Sequence, residues 1–64
     1  MKIFITEEKL SDNSSVYNVH LKNDAESVFI ELEAISFGDA IELTEDIRIA
    51  VEKYSNSQVF VYYK

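Results

Sequence analysis

The side chains in this chain that could do chemistry are mostly carboxylates. The 64 residues include twelve Asp and Glu residues, six Lys and Arg residues and one His, giving a net charge of −6. Nine of the acids lie between Asp24 and Glu52, where Arg48 is the single base. Such a field repels nucleic-acid phosphates and anionic membranes and attracts basic protein surfaces. The charge pattern favours a protein partner and argues against direct nucleic-acid or membrane binding, although it also suits a face that only keeps the protein soluble.

Residues for catalysis or for holding a cofactor are scarce. Without cysteine and with one histidine, His20, the sequence has no zinc-ligand pattern, and the turn residues 11–15 lack the spaced acids of a calcium loop. A single glycine excludes a glycine-rich phosphate-binding loop. His20 has no serine or threonine that the sequence places beside it as a nucleophile. We therefore expect no enzymatic activity, no cofactor and no metal.

The elements that must position these side chains form the order β-β-β-α-β in a single domain, 1–64. Apolar residues alternate over residues 2–8, 16–22, 27–34 and 58–63, which predicts four strands. Helical spacing predicts a helix that starts at Ser36, whose hydroxyl caps the N–H of Asp39, and runs to about Tyr54. The predicted fold class is α+β, a four-stranded, mostly antiparallel sheet in the order 4-1-2-3 with one helix packed on one face.

Alternation assigns each strand residue to the face that the helix covers or to the open face. The predicted covered face consists of Ile3, Ile5, Tyr17, Val19, Leu21, Val28, Ile30, Leu32, Val59 and Val61. The predicted open face consists of Phe4, Thr6, Val16, Asn18, His20, Phe29, Glu31, Glu33, Phe60 and Tyr62. The helix is expected to face the sheet through Phe37, Ala40, Ile41, Thr44, Ile47, Val51 and Tyr54.

Two surfaces are candidates for binding a partner. One is acidic, with one isolated apolar residue on the helix: Glu31, Glu33, Asp39, Glu42, Glu45, Asp46, Ile49 and Glu52. The other is a group of aromatic rings on the open sheet face: Phe4, Phe29, Phe60 and Tyr62. Rings in a polar rim are typical of protein interfaces, whereas a purely solvated sheet face carries Thr, Lys, Gln and Ser.

These surfaces support two functional hypotheses. In the first, the chain is an inhibitor or decoy that binds a basic, nucleic-acid-binding protein surface. In shortness, acidity and lack of catalytic residues it is similar to phage-encoded inhibitors, such as anti-CRISPR proteins and other nucleic-acid mimics. In the second, it is a structural or assembly module that forms a homodimer, or docks on a larger complex, through the aromatic rings. The absence of a signal-peptide pattern predicts a cytoplasmic location, in a bacterial host cell if the chain is phage-encoded.

Overall fold

The computed structural model describes residues 1–25 and 27–63, and for Phe29 it describes the backbone alone. The elements follow the predicted order β-β-β-α-β, which confirms the α+β class. In chain order they are β1 (Lys2–Lys9), β2 (Ser15–Lys22), β3 (Val28–Ala34), α1 (Phe37–Ser55) and β4 (Phe60–Tyr63).

The four strands form one sheet in the order β3-β2-β1-β4, which is the predicted order read from the other edge. β1 pairs antiparallel with β2, and β2 pairs antiparallel with β3. β4 pairs parallel with β1. β3 and β4 therefore run in the same direction at opposite edges of the sheet. A tight turn can join only antiparallel neighbours, so a long connection is required between these two strands. The helix α1 supplies that connection and lies on one side of the sheet.

Short polar side chains build the turn between β1 and β2. The Asp12 carboxylate accepts hydrogen bonds from the Ser14 hydroxyl at 2.5 Å and from the Ser14 N–H at 3.0 Å. These two bonds lower the pKa of Asp12 below its usual value because they stabilise the charged carboxylate, and the bond from the Ser14 hydroxyl has the larger effect. Asn13 adopts the left-handed conformation, with φ 69°, which Asn tolerates better than most residues. The turn thereby sets the β1–β2 register that aligns Glu7 with Tyr17.

The helix α1 has a side-chain cap at its first turn and a left-handed residue after its last. The Ser36 hydroxyl accepts a hydrogen bond from the Asp39 N–H at 3.1 Å, which confirms the predicted cap. Asn56 ends the helix with φ 56°. Ala40 and Thr44, one turn apart, are buried against the sheet. Their small side chains let the helix backbone approach the strands closely.

The core lies between α1 and the sheet, and most of its strand residues belong to the central strands β1 and β2. Its buried apolar residues are Ile3, Ile5, Val19, Leu21, Ala34, Ala40 and Val59. Ile3 and Val19 have no exposed surface, so each contributes about 1.5–3 kcal/mol from burial. Partly buried residues of α1, including Ile41, Ile47 and Val51, pack around them.

The edge strand β3 is less covered than the alternation predicts. Ile30 and Leu32 lie in the rows of Leu21 and Val19 on the helix side, yet they remain 41% and 40% exposed. A helix is about 10 Å wide and strands are about 4.8 Å apart, so one helix cannot cover four strands. The helix lies closest to β2 and next closest to β3, and it leaves the apolar side chains of β3 only partly covered.

Two further core predictions are wrong. A β-bulge at Phe29 pairs Val28 with Lys22, in a row that belongs to the open face, so Val28 is exposed instead of covered. Tyr54, expected to face the sheet, is 81% exposed. The Lys53 ammonium lies 5.2 Å from the centre of its ring, as in a cation–π contact on the helix surface.

Candidate binding surfaces

One line of carboxylates runs along the solvent side of α1. Asp39, Glu42 and Asp46 recur at helical spacing, are exposed, and continue into Ile49, which is 51% exposed. Within the described residues no Lys or Arg forms an ion pair with these three acids. We refer to these four residues as the acidic helix face. Their charges are directed to solvent and are available to a partner.

The neighbouring acids Glu45 and Glu52 are instead bound to Arg48. The guanidinium donates to both Glu45 carboxylate oxygens, and Nη1 donates to Glu52 Oε1 at 2.8 Å. Hydrogen bonds and charge attraction between Arg48 and Glu45 lower the pKa of Glu45 and raise that of Arg48. Glu52 Oε2 also accepts from the Val59 N–H at 3.2 Å. Glu52 therefore ties the helix to the segment before β4.

The two acids of β3 lie on the other side of the molecule. In the β2–β3 register Glu31 is opposite His20 and Glu33 is opposite Asn18, so both side chains belong to the open sheet face. The helix packs on the opposite face, with Leu21 and Ala34 in the core between. The structure thus separates the predicted acidic surface into two patches, and it does not bring Glu31 and Glu33 together with the acidic helix face.

The open sheet face carries a compact group of rings, as alternation predicts. Phe4 and Tyr62 are stacked, with ring centres 5.2 Å apart and planes 20° apart. The Lys22 ammonium lies 4.9 Å from the centre of the Phe4 ring. Phe60 and Tyr62 are among the exposed large apolar residues. The fourth predicted member, Phe29, has a side chain outside the described part of the chain.

A pocket on the helix side of the sheet has no counterpart among the predicted sites. It has a volume of about 210 Å³ and is lined by Ile5, Glu7, Tyr17, Phe37 and Tyr63, which we call the aromatic pocket. The Phe37 ring meets Tyr17 edge-on at 5.6 Å and Tyr63 at a 46° tilt and 6.1 Å, between ring centres.

Part of this pocket is visible in the sequence. The alternation of Ile3 and Ile5 continues to Glu7, which places a carboxylate on the face that is otherwise apolar. The missing information is the register of β4, which sets Tyr63 beside Ile5. Without that alignment, Tyr17, Phe37 and Tyr63 appear only as separate members of the covered side.

The described residues hold no group of three or more His, Cys, Asp or Glu side chains arranged to bind a metal. His20 is flanked in the sheet by Phe4 and Glu31. Within the described part of the chain, no helix has the length and apolar character needed to cross a membrane. Comparisons of the chain with protein-family models, with curated proteins and with solved structures find no significant match.

Proposed function

We propose that this protein is a non-enzymatic inhibitor or decoy, which acts in the cytoplasm by binding the basic surface of a nucleic-acid-binding protein. The observation that carries the proposal is the acidic helix face. Its three carboxylates have no ion pair within the described residues, and an exposed isoleucine continues the same line. A basic groove that normally holds phosphates would meet a row of negative charges there.

The contrast with Glu45 and Glu52 supports this choice of face. Those acids are compensated by Arg48, so a partner would have to compete with an existing contact to reach them. The acids at 39, 42 and 46 need only lose water when a basic surface arrives. Ile49 supplies an apolar contact at the end of the row, and a buried apolar anchor within a charged rim is a common interface arrangement.

The test is capture of partners from a bacterial lysate at low and at high salt, with two matched double variants. Glu42→Gln with Asp46→Asn removes two charges from the acidic helix face. Glu31→Gln with Glu33→Gln removes the same charge from the open sheet face. Two exposed ion pairs contribute about 1.4 kcal/mol, so the first variant should bind a captured nucleic-acid-binding protein about tenfold more weakly at low salt.

The control variant should bind that protein as tightly as the parent does, and high salt should release the captured protein from the parent and from the control variant. Equal weakening by the two variants would mean that only net charge matters and would contradict the assignment to α1. Unchanged binding by the helix variant, or binding that survives high salt, would also contradict it. The far-UV circular dichroism of each variant checks that the fold is retained.

The open sheet face supports a second candidate function, a homodimeric assembly module. Lys22 lies toward one end of this face, while Glu33 and Glu8 lie toward the other, so a copy rotated by a two-fold axis sets opposite charges together. A stable dimer needs about 800 Å² from each copy. That is about a fifth of the 4370 Å² exposed by the chain.

Sedimentation equilibrium at high salt tests this second function. A dimer through the rings should persist at high salt and dissociate in Phe60→Ser, since the Phe60 side chain is exposed and its loss spares the core. Tyr54→Ser is the matched control on another surface. A monomer at all concentrations, or a dimer that Phe60→Ser leaves intact, contradicts assembly through this face.

A further inference from the structure

The aromatic pocket combines three rings with one carboxylate, and nothing in the proposed function uses it. Its rings come from three elements: Tyr17 from β2, Phe37 from the first turn of α1 and Tyr63 from the end of β4. The buried side chain of Ile5 lines the same pocket. Phe37 and Tyr63 are both exposed, so a ligand can reach the pocket from solvent.

The sheet register explains why Glu7 lines this pocket. Glu7 lies directly across from Tyr17 in the β1–β2 register, on the helix side of the sheet. Its Oε2 accepts a hydrogen bond from the Ser15 hydroxyl at 2.6 Å, which orients the carboxylate. The part of the chain that the structure describes supplies no Lys or Arg as an ion-pair partner for Glu7.

An aromatic ring carries negative potential on its faces, so a cavity lined by several rings can hold a cation against one of them. Phe37 makes angles of 65° with Tyr17 and 46° with Tyr63, so the three rings form walls and not a flat stack. Such walls attract an ammonium or guanidinium group, and a nearby carboxylate adds a full negative charge. The N-terminus of α1, at Phe37, opposes a cation, but the Asp39 carboxylate in the same turn offsets its partial positive charge.

Other ligands fit this pocket less well. A nucleic-acid base could stack on the rings, but it would bring a phosphate toward Glu7 and toward a chain of net charge −6. An uncharged apolar group would gain contact with the rings but no attraction from the Glu7 carboxylate. A cation gains from both the rings and the carboxylate.

We propose that the aromatic pocket binds an organic cation, either the head group of a free quaternary ammonium compound or the basic side chain of another protein. None of the residues that line the aromatic pocket belongs to the acidic helix face, so variants of the lining test this inference separately from the proposed function.

Aromatic-resonance NMR titrations of the full chain test this proposal. The probes are choline, the uncharged isostere of choline in which carbon replaces the ammonium nitrogen, and N-acetyl-arginine methylamide. We expect a cation to shift the ring resonances of Tyr17, Phe37 and Tyr63 with a dissociation constant on the order of 1 mM, and the uncharged isostere to bind about tenfold more weakly. Tighter binding of choline assigns a free ligand, and tighter binding of the arginine derivative assigns a protein side chain.

Variants separate the pocket from the rest of the surface. Glu7→Gln retains a hydrogen-bond acceptor for Ser15 but loses the charge, and it should weaken cation binding about fivefold, as should Tyr63→Leu. Tyr63→Phe keeps the ring and should bind like the parent. Glu8→Gln and Tyr54→Leu, outside the pocket, are the matched controls. Absence of shifts with either cation, equal binding of the isostere, or equal effects of the control variants would overturn the proposal.

Discussion

Replacement of Thr44 by valine should stabilise this protein. Thr44 is 3% exposed in the middle of α1, and its Oγ1 atom is buried with no hydrogen-bond partner among the residues that the structure describes. A buried polar group that lacks a partner costs about 1–3 kcal/mol, because it gives up its hydrogen bonds to water. Valine has the same shape, puts a methyl group in place of the hydroxyl, and has a similar helix propensity. The expected gain is therefore about 1–2 kcal/mol.

This gain is large for so small a domain. Unfolding entropy scales with length at about 2.1 cal/mol/K per residue, so for this chain 1 kcal/mol corresponds to about 7 °C in Tm. Thr44→Val should raise Tm by about 7–14 °C in thermal unfolding followed by circular dichroism. Thr44→Ser keeps the hydroxyl and loses the methyl group, so it should be less stable than the parent by about 1 kcal/mol.

The reasoning would be refuted by a Thr44→Val protein that folds normally but melts at or below the temperature of the parent. That result would mean that the hydroxyl is hydrogen-bonded in solution, for example to the carbonyl one turn earlier in α1. Urea unfolding of the same variants provides an independent measurement, since a change in midpoint without a change in slope reports stability alone.

Three further predictions concern the ends and the ion pairs of the helix. Ser36→Ala should lower the free energy of unfolding by about 1 kcal/mol in urea titrations, because the Asp39 N–H loses its hydrogen-bond acceptor. Ser36→Asp supplies another acceptor and should retain most of the stability of the parent. An equal loss of stability in both variants would contradict the capping role. Asn56→Ala should be about 1 kcal/mol less stable than Asn56→Gly by the same measurement, because φ at residue 56 is 56° and glycine adopts this left-handed conformation more easily than alanine. Equal stability of the two variants would argue against a left-handed cap. Glu45→Gln should lower Tm at neutral pH and should cease to matter in acid. Because Arg48 lowers the Glu45 pKa from 4.5 in the folded chain, the stabilisation is fully present above pH 4.5 and is lost as pH falls through the lower folded value. A Tm difference that persists unchanged at the lowest pH would show that the charge of Glu45 is not its cause.

The sequence predicts the order of elements and the strand order because local signals and chain geometry act together. Alternation marks the strands, Ser36 marks the helix start, and a long helical connection after β3 brings β4 beside β1. The extent of helix cover is less predictable. Ile30 and Leu32 alternate as well as the residues of β2 do, but their burial depends on where a single helix lies across four strands.

The candidate sites are likewise predictable from the sequence only in part. Exposure of Asp39, Glu42 and Asp46 follows from helical spacing, whereas the pairing of Arg48 with Glu45 and Glu52 depends on side-chain conformations that spacing does not decide. The aromatic pocket depends on the register of β4 against β1, which sets Tyr63 beside Ile5 although the two residues are far apart in the chain.

The β-bulge in β3 has a consequence for how the protein behaves at high concentration. β3 is an outer strand with exposed Val28, Ile30 and Leu32, and an exposed apolar edge is a template on which further chains can assemble into aggregates. The bulge interrupts the straight row of backbone groups at that edge, and the charged side chains of Glu31 and Glu33 oppose pairing with a second copy. Near the isoelectric point of about 4.5 the chain as a whole carries no net charge to keep copies apart, so acidic samples should be kept dilute to prevent precipitation through edge-to-edge contact.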